Sequence, residues 1–146
     1  MLVIAFGNPL RQDDGAGLAV ARALEARRDL RVRTVHQLMP ELADALRAER
    51  CVVFVDASRG GPPGHVCRAR VRANSEAWTG THDLDPARLL GLCRSLYGRA
   101  PEASVVSIAG EHFGFGDELS ETVRQAVPAA VRSVLRARPR DGSGRA

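Results

Sequence analysis

The sequence predicts an α/β fold in three layers, built on a twisted, mixed and mostly parallel sheet of five strands with helices on both faces. Short apolar runs rich in β-branched residues alternate along the chain with segments whose apolar residues recur at helical spacing. The run from Cys51 to Val55 is apolar at every position, which is typical of a central parallel strand covered on both faces. His65 to Val71 alternates polar and apolar residues after a glycine- and proline-rich turn, which indicates a hairpin-like antiparallel addition.

The first half of the chain reads as two βα units. The strand from Leu2 to Phe6 stops at Gly7-Asn8-Pro9, and a helix is expected to begin near Asp13-Asp14, with Asp13 as its cap. Residues 31–36 alternate as a half-buried or edge strand does, and Pro40 opens a second helix. The alternation of strand and helix favours parallel pairing between these strands.

The second half adds one strand and two helices. Residues 73–82 lack periodicity and predict a loop of functional length that closes at His82. Asp85-Pro86 is a cap followed by a proline at the first helical position, and that helix ends before Gly98. Ser104 to Ala109 predicts a buried strand, and Ser120 caps the last helix.

Length and composition limit the classes of protein to which this chain can belong. With 146 residues we expect a single domain over residues 1–138 and a disordered tail over 139–146. All 21 basic residues other than histidine are arginines, scattered along the chain, and aromatic residues make up only 4%. A nucleic-acid footprint needs a basic stripe with stacking aromatics, so no nucleic-acid partner is predicted.

No apolar run approaches membrane-spanning length, and the first residues lack the features of a signal peptide. We therefore expect a cytoplasmic protein without a membrane partner.

Cys51, Cys67 and Cys93 are odd in number and follow no C-x-x-C spacing, so they are interpreted as buried thiols in a reducing compartment.

The first loop is not a phosphate site. It lacks both G-x-G-x-x-G and the P-loop motif, and Asp13 and Asp14 occupy the helix start where a phosphate would need free N–H groups. Two carboxylates suit a cation better. The alternative interpretation is that the two aspartates only stabilise the helix start.

Three polar residues are predicted to meet at one edge of the sheet: Asp14, Asp56 and His82. Asp56 follows the central strand, at the edge where open parallel sheets gather ligands, although it could also simply start a turn. Two carboxylates and an imidazole suit a borderline divalent metal such as nickel, zinc or manganese. Ligands so far apart have no local signature, and no G-x-S-x-G elbow indicates a hydrolytic triad.

These residues resemble a known family. Phe6-Gly7-Asn8-Pro9-Leu10, Asp13-Asp14-Gly15-x-Gly17, Val55-Asp56-Ala57 after an apolar strand, and Thr81-His82 before a leucine-rich helix are similar to segments of the [NiFe]-hydrogenase maturation endopeptidases. The opening G-N-x-L-x-x-D-D-G-x-G block is the most specific part, and the resemblance extends to about Arg138.

The resemblance implies a peptidase that removes the C-terminal extension of a hydrogenase large-subunit precursor after nickel is installed. It assigns Asp14, Asp56 and His82 as catalytic and metal-recognising residues, with nickel recognised in the precursor and no resident organic cofactor. The enzyme is expected to act as a monomer. Asp13 would mainly cap the helix.

Two positions depart from the family pattern. Many members have glycine where this chain has Ala5, and some have glutamate where it has Asp14, which is shorter by one methylene.

The alternative function is a non-catalytic, metal-sensing or chaperone-like module that binds the precursor without cutting it.

Overall fold

The computed structural model describes residues 1–76, 78–80 and 83–139. Its elements follow the order β1 (Leu2–Phe6), a 3-10 helix (Gln12–Gly15), α1 (Ala16–Leu24), β2 (Arg31–Val35), α2 (Leu42–Leu46), β3 (Cys51–Ser58), β4 (Val66–Val71), α3 (Pro86–Tyr97), β5 (Glu102–Ala109) and α4 (Glu121–Arg136). Strand and helix therefore alternate as the sequence predicts, with β4 added directly after β3.

The five strands form one mixed sheet in the order β2-β1-β3-β5-β4. The β1–β2, β1–β3 and β3–β5 pairs are parallel, and β4 runs antiparallel to β5. The predicted α/β class with a mixed, mostly parallel sheet is confirmed. The antiparallel addition is also present, but β4 does not form a hairpin with β3, because β5 lies between them.

Two apolar clusters cover the two faces of the sheet. Val3 and Ala5 pack with α1 and α4, whereas Leu2 and Ile4, which point to the opposite face, pack with α2 and α3. The β3 residues from Val52 to Val55 are fully buried, as expected of a strand covered on both faces. The buried strand fixes the position of the carboxyl edge of the sheet, where polar residues follow the apolar runs of the strands.

The helix boundaries follow the local signals in α3 and α4. Asp85 caps α3 by accepting a hydrogen bond from the Arg88 N–H at 2.8 Å, and Gly98 ends it with φ 77°. Ser120 caps α4. In the described part of the chain, no helix is long and apolar enough to cross a membrane.

Candidate active site at the carboxyl edge of the sheet

Asp14 is held by the loop that follows β1. Its Oδ2 accepts a hydrogen bond from the backbone N–H of Asn8 at 2.8 Å, and the Asn8 side chain in turn accepts one from the Leu10 N–H at 2.9 Å. The segment from Gln12 to Gly15 forms a 3-10 turn, so the α-helix begins at Ala16, later than the sequence predicts. The loop thus fixes the Asp14 carboxylate before the helix starts.

Two glycines of the opening block allow this close packing. Gly7 has φ 147°, and a Cβ added there would lie 2.1 Å from the Asp14 carbonyl oxygen. A Cβ at Gly17 would lie 2.5 Å from the carbonyl oxygen of Val55, on the neighbouring strand. These glycines let the loop and α1 approach the sheet, which is a packing role and not a phosphate cradle.

Asp56 lies inside β3 and not directly after it. The pairing of β3 with β1 ends at Val55, but pairing with β5 continues through Asp56 to Ser58. The strand is therefore longer than its apolar run, because β5 supplies a partner for the additional residues. Asp56 is half-buried, and its Oδ1 accepts the N–H of Ala57 at 2.8 Å.

The pKa of Asp56 is raised to about 7, chiefly by burial and in smaller part by the nearby charge of Asp14, while the hydrogen bond from the Ala57 N–H opposes the shift. A carboxyl with this pKa carries a proton part of the time near neutral pH. Any cation that bound this carboxylate would have to displace that proton, since a metal ligand must be deprotonated.

Asp14 and Asp56 line one cleft of about 450 Å³. Its walls consist of the ends of β1 and β2 with the segments that follow them, the end of β3, and the loop before α3. The described lining residues are Phe6, Gly7, Asp14, His36, Gln37, Leu38, Met39, Pro40, Asp56, Trp78, Gly80, Asp83 and Leu84. The structure thus brings two of the predicted site residues to one place.

His82 lies outside the described residues, so its position relative to the two carboxylates stays a prediction. Gly80 and Asp83, close to it in sequence on either side, both line the cleft. Among residues 1–76, 78–80 and 83–139, no group of three histidine, cysteine or acidic side chains is placed to hold a metal. The catalytic and metal-recognising roles of Asp14, Asp56 and His82 therefore also remain predictions.

Solved structures share this architecture over nearly the whole chain. The hydrogenase maturating endopeptidase HybD from E. coli superposes with a TM-score of 0.76 at 22% identity, covering 93% of this chain and 90% of that one. The [NiFe] hydrogenase maturation protease HybD from Thermococcus kodakarensis has a TM-score of 0.69 at 28% identity, with 94% and 98% covered.

The hydrogenase 2 maturation peptidase from a Thaumarchaeota archaeon gives 0.69 at 25% identity, with 93% and 96% covered. The chain resembles the hydrogenase maturation proteases. The resemblance predicted from the opening block is thereby confirmed, although no family model and no curated protein matches the sequence.

Asp13 does not cap its own helix in this maturation-protease fold. Among the described residues, no side chain caps either the 3-10 turn or α1, and the Asp13 side chain is fully buried against the segment from Glu111 to Ser120. Burial alone would raise the pKa of Asp13, but N–H groups of His112, Ser120 and Glu111 and the Ser120 hydroxyl lower it below its usual range. The predicted cap is wrong, because these distant donors compete for the carboxylate.

His36 is not among the predicted site residues, yet it lines the cleft, whereas His65 and His112 are absent from its described lining. Its position directly after β2 was the available signal, since β2 ends at the same edge as β1. Trp78, Met39 and Asp83 also line the cleft. They lie in segments without periodicity, where sequence patterns give no spatial information.

The cysteines divide into two classes. Cys51 and Cys93 are buried, and burial raises the pKa of both thiols, which disfavours the thiolate form. Cys67 is exposed on the edge strand β4, so the prediction that all three are buried is wrong for it. In the described part of the chain no strand pairs with the outer edge of β4, and every β4 residue between Val66 and Val71 is exposed.

Proposed function

We propose that this chain is an endopeptidase that removes the C-terminal extension of a [NiFe]-hydrogenase large-subunit precursor after nickel insertion. The observation that carries the proposal is the pair Asp14 and Asp56, which reach one cleft from the turn after β1 and from β3, in a fold shared with hydrogenase maturation proteases. We further propose that the enzyme acts as a monomer in the cytoplasm.

The two carboxylates give the cleft its chemistry. Asp14 is anchored by the Asn8 N–H, so it offers its remaining lone pairs in a fixed direction. Asp56 would release its proton to water as the cation binds, and His82 would complete a set of two oxygen donors and one nitrogen donor suited to nickel. Nickel carried by the precursor would supply Lewis-acid activation of the scissile carbonyl or of a water molecule.

This arrangement explains how an open cleft avoids digesting other proteins. Neither Cys51 nor Cys93 is available as a nucleophile, because both thiols are buried with raised pKa values. The chain's own groups then position the metal and the peptide, while the precursor brings the ion. Cleavage is therefore expected to require a nickel-loaded substrate.

The experiment compares the same purified precursor with and without nickel, and adds a metal-free reaction containing excess chelator. The mass of the precursor is measured before and after incubation with wild-type enzyme, Asp14→Ala, Asp56→Ala and His82→Ala. We expect loss of the extension only for nickel-loaded precursor with wild-type enzyme. Unfolding midpoints of the variants serve as the control for the fold.

Rapid cleavage of nickel-free precursor would overturn the requirement for nickel. Stable binding of the nickel-loaded precursor without any change in mass would favour the non-catalytic, chaperone-like module. Normal cleavage by folded Asp14→Ala would remove Asp14 from the site.

A further inference from the structure

The buried carboxylate of Asp13 ties the first loop to a segment about 100 residues away in sequence. Its Oδ2 accepts hydrogen bonds from the N–H groups of Glu111 at 2.8 Å and His112 at 2.9 Å and from the Ser120 hydroxyl at 2.8 Å. Its Oδ1 accepts the Ser120 N–H at 2.8 Å. All four partners are donors, and all lie between β5 and the start of α4.

The backbone reinforces the same connection. The N–H of Asp13 donates to the carbonyl of His112, and the N–H of Gln12 donates to the carbonyl of Gly116, both at 2.9 Å. The Gln12 side chain also accepts the Gly114 N–H at 3.1 Å. Gln12 has φ 51°, which lies in the left-handed region. This conformation is unfavourable for a residue other than glycine, and the hydrogen bonds of Gln12 hold it in place here.

The next residue along the turn faces the other way. Asp14 lines the cleft and is held by the Asn8 N–H, while Asp13 is anchored in the protein interior. Asp13 and Asp14 are adjacent in the short turn from Gln12 to Gly15, so a shift of the backbone at one residue also moves the other. The direction of Asp14 therefore depends on the anchor of Asp13.

We propose that Asp13 is a positioning residue that aims the Asp14 carboxylate into the cleft by anchoring the first loop to the segment from Glu111 to Ser120. The two adjacent aspartates thus divide their roles, one holding the loop and the other serving the site. The catalytic consequence rests on the proposed function, whereas the positioning of Asp14 is a property of the fold that can be measured separately.

The donor set requires a carboxylate at position 13. In Asp13→Asn, one oxygen is replaced by an NH₂ group that would face either the Ser120 N–H or the three donors now bonded to Oδ2. At least one acceptor is lost, and a donor is placed against a donor. The variant has nearly the same volume, so it changes the anchor without opening a cavity.

The first readout is structural and needs no activity. The amide proton of Asn8 reports on its hydrogen bond to Asp14, so its NMR chemical shift and exchange rate follow the direction of that carboxylate. We expect the Asn8 signal of Asp13→Asn to move toward that of Asp14→Asn, with faster exchange. The exposed Asp117 provides a charge-matched control, and Asp117→Asn should leave the Asn8 signal unchanged.

The second readout is catalytic. With nickel-loaded precursor, Asp13→Asn should lower kcat at least tenfold and change KM less than threefold, because a misdirected Asp14 affects the reacting geometry more than the binding of the rest of the substrate. Ser120→Ala removes one of the four donors and should lower kcat less, and Ser120→Thr, which keeps the hydroxyl, should restore it.

A folded Asp13→Asn with an unchanged Asn8 signal and unchanged kcat would overturn the proposal and leave Asp13 with a purely structural role. If Asp13→Asn does not fold, Ser120→Ala decides: an unchanged Asn8 signal in that variant overturns the proposal equally. If the wild-type enzyme cleaves no nickel-loaded precursor, the proposed function fails, and the Asn8 signal still tests the positioning.

Discussion

Replacing Asp56 with asparagine is expected to stabilise the protein above neutral pH. The pKa of Asp56 is raised to about 7 by burial and by the charge of Asp14, so the folded state binds this proton more tightly than the unfolded state. As pH rises from about 4 to about 7, the unfolded chain has already lost the proton while the folded chain retains it, and stability falls. Above pH 7 the full cost of the charge is present. Asparagine has no charge and removes that cost.

The size of the effect follows from the same values. Raising the pKa from 3.8 to about 7 corresponds to about 4 kcal/mol, at about 1.4 kcal/mol for each tenfold change in proton affinity. Asp56 is only half-buried, and water screens its charge, so we expect about 2 kcal/mol at pH 8.5. At pH 4.5 the gain should fall to about 1 kcal/mol, because the folded state still holds the proton while most unfolded chains have already lost it. The asparagine carbonyl can still accept the Ala57 N–H.

Urea unfolding at pH 4.5 and 8.5, with chelator present, measures this difference directly. A bound cation would neutralise Asp56, so the chelator is essential to the design. Asp117→Asn removes one negative charge from an exposed site and controls for the change in net charge. Equal effects of Asp56→Asn at the two pH values, or a loss of stability at pH 8.5, would refute the reasoning.

Three further outcomes follow from the structure. If the proposed site binds Ni²⁺, its affinity measured by calorimetry should weaken up to about tenfold per pH unit below 7, because Asp56 would have to release one proton; an affinity independent of pH would contradict this. Gly17→Ala should lower the free energy of unfolding by about 1–3 kcal/mol, because its Cβ would lie 2.5 Å from the Val55 carbonyl oxygen. The control is Gly60→Ala, whose Cβ would meet no described atom within 4 Å and which should stay within about 0.5 kcal/mol of wild type. Because the pKa of Asp13 is lowered, the ionised Asp13 side chain stabilises the folded state fully above about pH 4, and this stabilisation is lost as pH falls through the lowered pKa. The free energy of unfolding of Asp13→Asn should therefore fall less steeply with acid than that of wild type. Identical acid-unfolding curves would count against the lowered pKa of Asp13.

The sequence by itself determined the elements whose signals are local. The run from Cys51 to Val55 predicted a strand buried on both faces, and Asp85-Pro86 with Gly98 marks both ends of α3 through caps that act within one turn. The opening block also determined the resemblance to the maturation proteases. Such signals depend on neighbours in the chain, which the sequence contains in full.

The tertiary structure alone decided how distant segments share polar groups. The donors to Asp13 lie 98 to 107 residues away, so the buried anchor could not be distinguished from a helix cap by local pattern. The extension of β3 through Asp56 likewise depends on its pairing with β5, and the raised pKa of Asp56 depends on burial there. A carboxylate binds whichever donors the fold brings within reach, and only the packed chain specifies which donors those are.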